Sequence, residues 1–96
     1  MAARELTDEE RKIVSEGLQA QVLLDDDTFK SVIQSLMFES WAQWTESKPA
    51  QREAREDNYN FYRGLKAIEA ELTARVQAKD EIERMLNDAQ DADDRD

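Results

Sequence analysis

The 96-residue sequence has no cysteine and no histidine. Without cysteine there can be no disulfide, no thiol nucleophile and no thiolate metal site in any compartment. Without histidine the commonest general base and metal ligand are gone as well. Glycine occurs twice and proline once. Both glycines, Gly17 and Gly64, fall inside helical pattern, so no glycine-rich phosphate loop is present. The longest apolar runs, 22–24 and 36–38, span three residues each. That is far short of the ~20 needed to cross a bilayer or the roughly 7 to 15 of a signal-peptide core, so no membrane association and a cytoplasmic location are expected. Positive charge is scarce too: 13 Lys+Arg stand against 23 Asp+Glu, for a formal charge of −10. Such a balance repels polyanions, and direct nucleic-acid binding is not expected. The acidic stretch "DDDTF" at 25–29 fails the EF-hand pattern, with Phe29 where an oxygen ligand is required. No paired carboxylates sit in an apolar setting that would tune them for acid–base work. No enzyme activity, cofactor, metal or small-molecule substrate is expected.

What the chain does contain is helix. Thr7 and Glu10 in "TDEE" form a capping box, in which each side chain accepts from the other residue's backbone N–H. A first helix is predicted over 8–24, with Ile13, Val14, Leu18, Val22 and Leu23 at helical spacing and Gly17 weakening it by about 1 kcal/mol relative to alanine. The aspartates at 25–27 break it and cap a second helix over 27–47, since carboxylates suit the positive end of a helix dipole. Pro49 ends that helix, because the residue before a proline is pushed out of the α region. From there Ala54, Phe61, Leu65, Ile68, Leu72, Ile82 and Leu86 form a heptad-like series that predicts one long helix over 50–86. Arg75 and Lys79 interrupt its seam. The fold class is therefore all-α, an antiparallel helical hairpin with an additional N-terminal helix, in one domain over 1–86.

The second helix carries the chain's aromatic bulk, in "SLMFESWAQWTESKP". At 100° per residue its apolar positions cover about half the circumference, wider than the ~100° stripe of a helix packed on one side, and Phe38 falls outside the arc. One neighbouring helix cannot cover such an arc. Phe29, Ile33, Leu36 and Trp44 are assigned to the core, whereas Met37, Phe38 and Trp41 are the candidate protein interface. Ala67, Ala70, Ala74, Ala78 and Met85 form a second stripe on the long helix, read as exposed helix-forming residues rather than a contact. The acidity lies at the two ends: residues 1–28 carry −5 and residues 87–96 carry −4, while 29–86 are nearly neutral. "NDAQDADDRD" is expected to be a solvated, frayed acidic tail over 87–96.

The order of "LLDDDTF", an aromatic-rich helix, a short polar turn and "AREDNYNFYRGLKAIEAELTARV" resembles small α-helical proteins from the head and packaging gene cluster of tailed bacteriophages. The resemblance spans residues 25–86, about two thirds of the chain. It implies a virion-assembly accessory, in the host cytoplasm or the virion, and brings no catalytic residues with it. The N-terminal helix and its capping box lie outside that pattern. The function expected is a non-catalytic helical interaction protein that binds itself, as a homo-oligomer, or another protein. The alternative is an acidic decoy that mimics DNA in the cleft of a host enzyme.

Overall fold

The computed structural model describes residues 5–94, and their regular structure is entirely α-helical: α1 Asp8–Asp25, α2 Asp27–Glu46 and α3 Arg52–Asp94. Local chemistry sets each boundary. The Thr7 N–H donates to Glu10 Oε1 at 3.0 Å and the Glu10 N–H to Thr7 Oγ1 at 3.1 Å, closing the capping box at the start of α1. A single residue, Asp26, separates α1 from α2. Its extended backbone (φ −74°, ψ 121°) breaks the helix while its carboxylate accepts the Phe29 N–H at 2.7 Å. α2 ends at Ser47, again extended, and the Lys48 N–H donates to Gln51 Oε1 at 2.8 Å across the turn.

α3 is unbroken for 43 residues, about 64 Å at 1.5 Å per residue. It begins two residues later than expected and runs eight residues further, so 87–94 continue the helix instead of fraying; residues 95 and 96 of the expected tail lie outside the described residues. Arg84 explains part of the extension. It pairs with Glu81 one turn back and with Asp88 at 3.0 Å one turn on, spanning the point where the helix was expected to stop.

One helical domain was expected; contacts divide the chain into two compact units, one formed by the residues up to 23 with those from 72 onward, the other by 24–71. The first pairs α1 with the C-terminal half of α3. Gly17 and Ala20 are its buried α1 residues. A Cβ on Gly17 would collide with the Lys79 side chain and stand 2.8 Å from the Arg75 carbonyl oxygen. The glycine that weakens α1 in isolation is thus what lets the two backbones approach. Opposite it, Lys79 is 8% exposed, with its stem covered and its ammonium reaching Asp80 at 2.9 Å and Glu83 at 3.6 Å. The hydrogen bond to Asp80, opposed by desolvation, raises the Lys79 pKa above its ordinary value.

The second unit pairs α2 with the N-terminal half of α3 as an antiparallel hairpin. Ile33 and Leu65 are its buried apolar side chains. Ser40 is buried as well, and its hydroxyl donates to the Asn58 carbonyl oxygen at 2.8 Å. A small side chain at this crossing keeps the helices close, and the hydrogen bond satisfies the polar atom that burial would otherwise penalise.

The seam of α3 differs from the one the apolar series suggested. Leu65, Leu72, Ile82 and Leu86 are covered, but Ala54, Phe61 and Ile68 are exposed, and Tyr62, Glu69 and Val76 turn inward in the neighbouring positions. A rotation of half a residue spacing accounts for this. It brings Val76 inward in place of Arg75, and the same turn carries Tyr62 in place of Phe61, seven-residue spacing being kept from 62 to 76; beyond that the buried apolar residue is Ile82, six on from Val76.

Candidate functional site

Trp44, assigned to the core from sequence, is 40% exposed. Phe29 and Leu36 are half-buried, and only Ile33 of that group is fully covered. The reason is the crossing at Ser40. With the small serine at the centre of the apolar arc, the larger rings lie to one side of the contact instead of within it. Of the three candidate interface residues, Met37 is half-buried, Phe38 is 66% exposed and Trp41 is 55% exposed. Phe38 and Trp41 lie side by side, ring centroids 6.3 Å apart and planes tilted by 37°.

Trp41 and Trp44 from α2, with Tyr59 and Tyr62 from α3, wall a groove of about 210 Å³ whose floor is Ser40 and Asn58. Met37 and Phe38 do not line it. Its signal in the sequence was a small polar residue, Ser40, at the middle of the apolar arc of α2, facing a tyrosine pair spaced three apart on α3.

Cations border the groove. The Arg55 guanidinium lies over Trp44, 5.0 Å from the ring centroid, and Arg63 over Tyr59 at 5.9 Å, both within cation–π range. The arrangement extends along the hairpin. Measured from Ser40 on α2 and Tyr62 on α3, the five basic residues of the two helical segments (Lys30, Arg52, Arg55, Arg63 and Lys66) fall between about +20° and +100°, the flank that bears the groove. None of the eight acidic residues in the same segments falls in that arc. A chain of charge −10 thus gathers the cations of these two helical segments on the flank of its aromatic rings.

The alanine stripe of α3, with Met85, is exposed. Among the described residues no three acidic side chains converge as a metal site, and no helix is long and apolar enough to cross a membrane. Chemically, the groove offers apolar aromatic walls, a floor whose hydroxyl is already bonded, and a cationic rim. Comparison with protein-family models, with curated proteins and with solved structures gives no match.

Proposed function

We propose that the chain is a non-catalytic helical assembly protein that associates with protein through the aromatic flank of the α2–α3 hairpin. The observation that carries this reading is the exposure of Phe38, Trp41, Trp44 and Tyr59 together on one small hairpin. Apolar side chains scattered singly over a surface are ordinary, whereas contiguous aromatic rings around a concave, desolvated floor have the anatomy of an interface hot spot. The cationic flank also counts against the acidic decoy, because a DNA mimic presents carboxylates where this hairpin presents Arg55 and Arg63. The resemblance to phage head and packaging proteins suggests the setting, a virion-assembly accessory acting in the host cytoplasm or the particle.

The double substitution Phe38→Ser with Trp41→Ser tests the reading. It should disperse the complex, self-associated or mixed, while leaving helical circular dichroism intact, since neither ring is buried. Anchors of this kind contribute about 2 kcal/mol or more each. A wild-type chain that stays monomeric at high concentration and captures no partner, together with a double variant that simply unfolds, would show that the aromatics serve the fold alone.

A further inference from the structure

The groove specifies its occupant more closely than "protein". At about 210 Å³ it is smaller than the ~300–1,000 Å³ of pockets that take drug-sized molecules and cofactors. It has room for one side chain. The Ser40 hydroxyl already donates to the Asn58 carbonyl, and the exposed lining of the groove is almost wholly apolar, so an entering group gains most by being apolar. Four aromatic rings favour a polarizable side chain, because thioether sulfur makes favourable contacts with ring edges. Arg55 and Arg63 on the rim call for carboxylates on either side of that anchor.

The chain carries such a feature. Met85 is exposed on α3, with Glu81 four residues before it, Asp88 three residues after it, and Ala78 and Ala89 on the same helix face. Its surroundings are acidic: residues 5–23 and 72–94 hold five Lys/Arg against twelve Asp/Glu, a net −7. The flank of the hairpin and the unit that bears Met85 are therefore complementary in charge, and each carries exposed apolar side chains. Resting on the reading of the aromatic flank as a protein interface, we infer that the groove of one copy takes Met85 of a second copy, with the acidic surface of that unit set against the arginine rim. Within that surface Glu81 and Asp88 are also held by Arg84 of their own helix.

The charge pattern also bears on which surfaces meet: groove on groove would set one row of cations against the other, so the contact joins two different surfaces of the two copies.

Mixing two variants provides the test. Trp41→Ser damages the groove and keeps Met85; Met85→Lys removes the anchor, adds a cation facing the arginines, and keeps the groove. Both sites are exposed, and circular dichroism confirms folding. In sedimentation velocity the wild type should associate with rising concentration and dissociate in high salt. Each variant alone should associate about tenfold more weakly or worse. An equimolar mixture should form a one-to-one dimer, since one intact groove and one intact anchor remain. If Met85→Lys associates like the wild type while Trp41→Ser does not, the aromatic flank remains an interface and Met85 is not its occupant. If both variants behave as the wild type does, both readings fall. A wild type that stays monomeric at millimolar concentration overturns the contact. So does a monomer whose tryptophan emission is quenched by oligothymidine, which would make the occupant a nucleic-acid strand.

Discussion

Gly17 of α1 lies directly against Lys79 of α3, with the Arg75 carbonyl oxygen only 2.8 Å from the point where a Cβ would stand. Backbone atoms cannot swing aside, so Gly17→Ala must push the helices apart. The better intrinsic helix propensity of alanine, about 1 kcal/mol, is outweighed by overpacking of about 1–3 kcal/mol and the loss of the covered surface. Gly64 is the control. Nothing lies within 4 Å of a Cβ built there, and Gly64→Ala should stabilise by about 1 kcal/mol. Thermal melts of the two variants should therefore move in opposite directions; a rise in both would mean that the close approach at Gly17 is absent in solution.

Ser40 is expected to be sensitive to size more than to polarity. Ser40→Ala removes one hydrogen bond, from its hydroxyl to the Asn58 carbonyl, at a cost of about 1 kcal/mol. Ser40→Leu places a bulky side chain at the crossing, and should both destabilise by more than the alanine variant and fill the groove floor. Urea unfolding of the pair would check the order, and leucine milder than alanine would contradict the close crossing.

The elements were legible where their signals are local. The Thr7–Glu10 capping box, the Asp26 cap and the stop before Pro49 all depend on neighbours within a turn, and the helices begin and end close to where those residues place them. What sequence could not give was the rotation of α3. Phe61 and Ile68 outrank Tyr62 and Glu69 by hydropathy, yet the inward face is set by Val76 replacing Arg75 and by the fit of Gly17 to Lys79, which is information from another helix. The same limit applied to the site. Trp41 was legible as an exposed ring, whereas the groove formed with Tyr59 and Tyr62 depends on Ser40 pairing with Asn58, eighteen residues away. Residues 87–94 continue the helix although their composition disfavours it, and the Glu81–Arg84–Asp88 pairing accounts for them only as far as Asp88.

That pairing has a pH signature. Arg84 donates to Glu81, with its Nε 3.2 Å from Oε2, and this hydrogen bond, reinforced by the charge of Arg84, lowers the Glu81 pKa below its ordinary 4.5. A lowered carboxyl pKa contributes stability that is present above the unfolded value and is lost as pH falls through the folded one. Carboxyl titration by NMR should find the Glu81 midpoint below 4.5, and Arg84→Ala should return it upward. An unchanged midpoint in the variant would show that the pair is not formed in solution.

Both tryptophans of the chain, Trp41 and Trp44, line the groove, so tryptophan emission reports on that surface alone. A dilution series from millimolar to nanomolar protein, followed by emission maximum and by mass together, tests the interface most directly. If the aromatic flank is where the chain associates, emission should lie to the blue in the concentrated, associated protein and move to the red as dilution frees the rings and the mass falls. An emission maximum that stays fixed while the mass changes would place the contact elsewhere, and an unchanged mass and emission across the whole range would contradict self-association through the groove.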